Sequence, residues 1–124
     1  MAKVPSKPTK RIETVPNPHP DREYTVNIST DEFTTLCPMT GQPDFATITI
    51  DYVPGEKLVE LKSLKLYFWS YRYQAGFHED VTNRILDDLV AACQPRSMTI
   101  EGNFNVRGGL QTIVRASFPA DRKG

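Results

Sequence analysis

The sequence predicts an α+β domain in which a four-stranded antiparallel sheet carries two helices on one face. Apolar residues alternate with polar residues in four segments, which is the pattern of half-buried strands. Between the second and third of these segments the apolar spacing changes to three and four residues, as in amphipathic helices. The order strand, strand, helix, helix, strand, strand is typical of helices packed on one antiparallel sheet.

The first two predicted strands flank a loop rich in glycine and proline. A short alternation runs from Tyr24 to Ile28, and a longer one runs from Ala46 to Tyr52. The Pro-Gly pair at residues 54–55 ends the second alternation, since these residues favour turns. The loop between the strands is a surface segment of the kind that often carries binding and catalytic groups.

Two helices are predicted to follow. The first begins at Glu56 and continues without glycine or proline until Gly76, and its apolar positions are Leu58, Leu61, Leu64, Phe68 and Tyr71. The second begins near His78, and Pro95 stops it because proline cannot continue a helix.

The last two predicted strands form a hairpin. The alternation from Met98 to Val106 is followed by Gly108 and Gly109, and then by an apolar segment from Leu110 to Ala116. A Gly-Gly pair between two alternating segments is typical of a tight β-turn.

Composition indicates one domain and excludes several function classes. We expect residues 1–22, which contain five prolines, to form a flexible or extended arm, residues 23–118 to form the domain and residues 119–124 to form a tail. Fifteen basic and fifteen acidic residues leave no net charge to attract nucleic acid or a membrane surface. The chain has no signal-peptide pattern, no long apolar segment and no metal-ligand spacing, which predicts a cytoplasmic protein without a metal.

The two cysteines have different expected roles. Cys93 occupies an apolar position of the second helix and is expected to serve packing. Cys37 lies in the loop before the second strand, where it is either a tolerated thiol or a nucleophile. Asp44 follows at the end of the same loop and is either an ordinary turn residue or a partner of the thiol.

Two further groups of polar residues are ambiguous from their spacing alone. His78 and Glu79 begin the second helix, where acidic residues are favoured by the helix dipole in any case. Glu79 could instead accept paired hydrogen bonds from a flat heterocycle. Glu60, Lys62 and Lys65 form either a solvated helix face or a carboxylate and two cations for a ligand.

The motifs taken together resemble those of a known family, the NADPH-dependent 7-cyano-7-deazaguanine reductases of tRNA queuosine biosynthesis. They are, in this order, "LCPMTGQPDFATI", "VELKSLKLYFWSYR", "FHEDVTNRI" and "VRGG". The resemblance implies the tunnelling fold, and it implies reduction of a nitrile to a primary amine by two NADPH molecules. No metal is implied, and the zinc-ligand pattern of the related GTP cyclohydrolase fold is absent from the sequence.

The resemblance also implies roles for individual residues. Cys37 resembles the nucleophile that forms a thioimide with the nitrile carbon, and Asp44 resembles the proton donor to the nitrile nitrogen. The implied substrate-binding residues are Val59, Glu60, Leu61, His78 and Glu79. The implied NADPH-binding residues are Lys62, Ser63 and Lys65. The sequence contains no GxGxxG motif, so a Rossmann-type dinucleotide site is not expected.

We further expect a homo-oligomer, because tunnelling-fold enzymes form ring-shaped barrels with active sites between subunits. The resemblance points to a decamer of two stacked pentamers, with Cys37 of one chain near Glu79 of a neighbour. Two alternatives fit the residues less completely. A thiol-dependent nitrile hydrolase would share the cysteine, whereas a noncatalytic purine- or pterin-binding protein would need Glu79 but not Cys37.

Overall fold

A computed structural model describes residues 7–120, and its central feature is a four-stranded antiparallel sheet. In chain order the elements are β1 (Thr14–Pro16), β2 (Val26–Leu36), β3 (Pro43–Val53), β4 (Lys57–Val59), α1 (Leu61–Ser70), a 3₁₀ turn (Tyr71–Tyr73), α2 (His78–Cys93), β5 (Ser97–Arg107) and β6 (Leu110–Phe118). The sheet order is β2-β3-β5-β6, and β1 pairs with β4 as a separate two-stranded ribbon. The predicted α+β class with two helices is confirmed.

The core lies between the sheet and the two helices. Alternate residues of β3 and β5 face it in register, so that Ile50 pairs with Ile100 and Tyr52 pairs with Met98. Helix α2 packs over β5 and β6, while α1 and the 3₁₀ turn pack against β2. Residues Ile85 and Leu89 of α2 are fully buried in this core. The predicted period of two in the strands is therefore confirmed as a division between a core face and an outer face.

The predicted start of the first helix is wrong by five residues. Residues Lys57–Val59 are extended and pair with Thr14–Pro16, and the helix begins only at Leu61. Glu60 is the N-cap, with φ −83° and ψ 124°. The reason is that the apolar spacing of Leu58 and Leu61 also suits a strand that turns directly into a helix. A local pattern cannot reveal the pairing with the distant arm.

The second helix and the last hairpin agree with the prediction. Helix α2 spans His78–Cys93 and ends at Gln94, which adopts a left-handed φ of 49°. Gly108 and Gly109 have φ values of 56° and 78°, the positive angles that a tight hairpin turn requires. These two glycines place the end of β5 beside the start of β6.

The N-terminal arm lies along the domain from residue 7 onward. Asn17 is buried, donates from Nδ2 to the carbonyl of Gly55 at 2.7 Å, and accepts at Oδ1 from the Tyr24 hydroxyl at 2.5 Å. The Lys10 ammonium lies 3.2 Å from the centroid of the Tyr71 ring. The predictions for residues 1–6 and 121–124 lie outside the described residues. Neither helix within residues 7–120 is long and apolar enough to cross a membrane.

Candidate active site

Cys37 lies at the base of the loop that joins β2 to β3. Its backbone N–H donates to the Gln42 carbonyl at 2.8 Å, and its carbonyl accepts from the Gly41 N–H at 2.8 Å. Gly41 adopts a φ of 73°, which lets the loop close on itself. The backbone of the cysteine is thus fixed while its side chain remains partly exposed, as a nucleophile requires.

The loop also sets the chemistry of the thiol. The hydroxyl of Thr40 and the backbone N–H groups of Met39 and Thr40 donate toward the sulfur and hold the pKa of Cys37 below its usual value. Slight burial and the negative charge of Asp44 oppose this effect but are smaller. Hydrogen bonds that favour the charged form increase thiolate character, and the thiolate is the reactive species of cysteine.

Asp44 is held between two side chains from other elements. It is 7% exposed, although it is the second residue of β3. Its Oδ1 lies 3.2 Å from Nε of Arg107, and its Oδ2 lies 3.3 Å from Nε2 of His78. Arg107 also donates to the carbonyl of Pro43. The carboxylate therefore has a fixed orientation and two partners that can carry positive charge.

His78 is fixed on several sides by its neighbours. It is the first residue of α2, and its carbonyl accepts a hydrogen bond from the Thr82 hydroxyl at 2.9 Å. Its ring lies parallel to the ring of Phe104, with centroids 3.8 Å apart and an interplanar angle of 5°. Its Nε2 points to Asp44. This arrangement leaves little freedom for the imidazole to turn.

A cavity of about 290 Å³ brings these groups together. Its lining residues are Cys37, Pro38, Asp44, Gly76, Phe77, His78, Glu79, Asn105, Arg107, Leu110 and Thr112. Four of them are predicted site residues from two separate parts of the sequence. The cavity combines a thiol, an acid and base pair, an exposed carboxylate and an apolar wall, which suits covalent chemistry on a flat polar ligand.

Glu79 lies beside Cys37 within one chain. Both residues line the same cavity. The expectation that Cys37 of one chain also lies near Glu79 of a neighbour stays a prediction. The β2–β3 loop and the start of α2 meet through a bridge between Leu36 and Ala75. A pairing between residues this far apart in the sequence cannot be read from local periodicity.

The remaining predicted site residues lie elsewhere in the chain. None of them lines the Cys37 cavity, and Leu61 and Lys65 instead line a groove of about 980 Å³ between α1 and β2. Val59 is buried at 5% exposure. The Glu60 carboxylate caps α1, with Oε2 and Oε1 accepting from the N–H groups of Lys62 and Ser63.

Ser63 and the two lysines differ in what they can offer a ligand. The Ser63 hydroxyl accepts from the backbone N–H of Glu13 at 2.9 Å and donates to the carbonyl of Glu60 at 2.9 Å. Both hydrogen-bonding functions of this hydroxyl are therefore used within the chain. Lys62 and Lys65 are exposed and free to turn toward a ligand.

Arg107, which lines the cavity, and Thr40, which belongs to the Cys37 loop, were not predicted as site residues. Arg107 belongs to the quoted "VRGG" motif, but nothing in its local sequence indicated a bond to Asp44. Thr40 follows Cys37 by three residues, and only the closed geometry of the loop places its hydroxyl on the sulfur. Cys93, in contrast, is fully buried, and burial raises its pKa to about 11, as expected for a packing residue.

Comparisons with known proteins agree on one family. The family of QueF-like proteins matches residues 43–123. A relative from Thermomicrobium roseum, named NADPH-dependent 7-cyano-7-deazaguanine reductase, is 57% identical over 98% of this chain and 94% of its own length. A relative of the same name from Nitrosococcus oceani is 59% identical over 93% of this chain and 89% of its own length.

A solved structure shares the fold. The archaeosine synthase QueF-Like, in its apo form, superposes with a TM-score of 0.70 over 75% of this chain and 91% of that chain, at 22% sequence identity. This likeness concerns the fold alone. Sequence identity of nearly 60% over almost the whole length carries the family assignment. The chain belongs to the family of NADPH-dependent 7-cyano-7-deazaguanine reductases.

Proposed function

We propose that nitrile reduction by this chain proceeds through a covalent thioimide on Cys37. As a member of its family, the chain is an oxidoreductase that reduces 7-cyano-7-deazaguanine to 7-aminomethyl-7-deazaguanine with NADPH, in queuosine biosynthesis. The observation that carries the covalent step is one cavity that holds a thiol of lowered pKa beside Asp44. Covalent catalysis divides a difficult reduction into easier steps.

In the first step, one C–S bond forms and one proton is transferred to the nitrile nitrogen. The Cys37 thiolate adds to the nitrile carbon, forming a C–S bond, and one electron pair of the C≡N triple bond moves to the nitrogen. That nitrogen takes a proton from the pair formed by Asp44 and His78, whose side chains are 3.3 Å apart. Asp44 delivers the proton and His78 replaces it. A positioned general acid typically contributes about 10²–10⁴-fold to a rate.

One NADPH, when bound, would supply a hydride to the thioimide carbon, after which the C–S bond breaks, the Cys37 thiolate is released and an imine remains. A second NADPH would supply a hydride to the imine carbon, and the nitrogen takes up a proton to give the amine. Lys62 and Lys65 fit the phosphate groups of this co-substrate because both are exposed cations on the same helix. Ser63 fits less directly, since its hydroxyl is used by Glu13 and Glu60. We assign Ser63 to the cofactor region as the residue that holds the start of α1.

Substrate binding is assigned to two walls. The Glu79 carboxylate is exposed at the Cys37 cavity, where it can accept from the ring N–H and the exocyclic amine of a deazaguanine. His78 lies beside it. The segment Val59, Glu60 and Leu61 forms the second wall and comes from a neighbouring subunit, because it lies outside that cavity within one chain.

The separation of the Val59, Glu60 and Leu61 segment from the Cys37 cavity also supports assembly into a ring. β2 and β6 are the edge strands of the sheet, and unpaired edges favour pairing with another chain. A cavity of about 290 Å³ is also small for a purine-like ligand together with a dinucleotide. These features support a homo-oligomer in which each site joins two subunits, and the resemblance to tunnelling-fold enzymes implies a decamer of two stacked pentamers.

The covalent step is tested by the mass of the intact protein after mixing with 7-cyano-7-deazaguanine in the absence of NADPH. We expect an increase by one ligand mass per chain. Cys37→Ala should abolish both the adduct and NADPH oxidation, whereas Cys93→Ala should retain the adduct at a modest cost in stability. An adduct on Cys93, or full turnover by Cys37→Ala, would overturn the proposal. Ammonia release without NADPH oxidation would identify a nitrile hydrolase instead.

A further inference from the structure

The contact between His78 and Phe104 is a close parallel stack of two aromatic rings. Their planes are 5° apart and their centroids are 3.8 Å apart. Stacking of this kind is a favourable and geometrically specific contact. It keeps the plane of the imidazole against the face of Phe104, so the imidazole cannot tilt without losing this contact.

Phe104 is held rigidly in this position. It is 1% exposed on β5, and its partners in the neighbouring strands are Ala46 and Thr112. Gly102, two residues earlier, has no side chain to disturb it, and a Cβ there would lie 2.9 Å from the Phe104 ring. The same Cβ would lie 2.7 Å from the hydroxyl of Thr82, which donates to the carbonyl of His78. Phe104 cannot move away from the imidazole without disturbing the sheet.

We propose that Phe104 is a positioning residue for the reduction. It holds the His78 ring with Nε2 directed at Asp44, so that the pair of side chains that supplies the proton to the nitrile nitrogen is already aligned. Arg107 from β5 contacts the other carboxylate oxygen of Asp44, so the imidazole and the guanidinium together fix the orientation of that side chain.

This role rests on the proposed function, but it has a test that needs neither substrate nor NADPH. The chain contains only two histidines, His19 and His78, so ¹⁵N-histidine labelling gives two sets of ring signals. His19 is exposed and serves as an internal reference. In the wild-type protein, the His78 ring protons should resonate upfield of those of His19 because they lie over the face of Phe104.

The variant Phe104→Leu should remove the upfield displacement of the His78 ring protons. It should also lower kcat while leaving KM for the nitrile substrate nearly unchanged, because the imidazole would be less well directed at Asp44. Phe33→Leu is the matched control. Phe33 is also 1% exposed in the core, but it contacts Phe68 and Tyr71. The Phe33→Leu variant should leave the His78 signals and kcat unchanged.

The proposal fails if wild-type His78 shows no upfield displacement, a result that does not depend on any variant folding. It also fails if Phe33→Leu lowers kcat as much as Phe104→Leu does. A normal NMR result combined with no covalent adduct on Cys37 would leave the role of Phe104 intact and refute the thioimide. The two proposals can therefore fail separately.

Discussion

Nε2 of His78 lies 3.3 Å from Oδ2 of Asp44, although 34 positions separate the two residues in the sequence. Asp44 comes from the start of β3 and His78 from the start of α2, so the contact depends on how two elements begin rather than on a mobile loop. Arg107, at the end of β5, completes the group from a third element. A proton held between Asp44 and His78 therefore has a defined position relative to Cys37.

Asp44→Asn tests the role of the acid. The amide keeps the shape of the side chain but cannot supply the proton, so we expect kcat to fall by about 10²–10⁴-fold. Binding of the nitrile substrate to a variant that also carries Cys37→Ala, measured by calorimetry, should change little. If Asp44→Asn reduces binding as strongly as turnover, Asp44 contributes to substrate recognition and is not mainly an acid.

Glu79→Gln tests the role of the exposed carboxylate. Hydrogen bonds to charged groups contribute about 1.5–3 kcal/mol, so we expect substrate affinity to fall by roughly 10- to 100-fold in the Cys37→Ala background. Glu101→Gln is a suitable control because Glu101 pairs with Arg115 on the sheet, outside the cavity. Unchanged affinity in Glu79→Gln would exclude this residue from recognition of the deazaguanine edge.

Thr40→Val tests how the loop activates the thiol. The Thr40 hydroxyl is the largest cause of the lowered pKa of Cys37, so its loss should raise that pKa and reduce the thiolate fraction near neutral pH. Alkylation by iodoacetamide should then be slower at pH 7, and its pH midpoint should move upward. Thr34→Val, on β2 outside the loop, is the control and should alkylate like the wild type. An unchanged midpoint in Thr40→Val would contradict the assigned hydrogen bond.

Mixed oligomers test whether two subunits share each site. Cys37→Ala and Glu60→Gln subunits, dissociated and reassembled together, should recover part of the activity because some sites then receive both intact residues. Glu60→Gln is chosen because the glutamine side chain keeps an acceptor oxygen for the N-cap of α1. A mixture of Cys37→Ala and Glu79→Gln subunits should show no recovery, since those residues line one cavity of the same chain. Recovery in the second mixture alone would reverse the assignment of the two walls.

The sequence was informative where one local rule determined the structure. Helix α2 and the turn at Gly108 and Gly109 follow from periodicity and from backbone angles that only a few residues accept readily. Cys37, Asp44, His78 and Glu79 could be named before the structure was known, because they lie in motifs that resemble those of a family. Their arrangement in one cavity required the folded chain.

Two of the missed features depend on contacts between distant segments, and the third depends on the closure of a loop. The ribbon of β1 and β4 pairs Thr14 with Val59, and no local property of Lys57–Val59 distinguishes it from a helix start. The contact of Arg107 with Asp44 spans β5 and β3. Thr40 acts through the closure of its own loop, which depends on the backbone of Gly41 and on no apolar pattern.

The N-terminal arm is hydrogen-bonded to Glu60 and Ser63 at the start of α1, and Glu60 belongs to the segment assigned to the second wall of the site. The Glu13 N–H donates to the Ser63 hydroxyl at 2.9 Å, and the Glu60 N–H donates to the Glu13 carbonyl at 2.9 Å. Substitutions in the arm can thus shift Glu60 directly. On the proposed roles of Glu60 and Cys37, we expect substitutions at residues 13–16 to change KM independently of the chemistry at Cys37. Affinity measured on a protein shortened or fused within this arm would describe the altered arm as much as the enzyme.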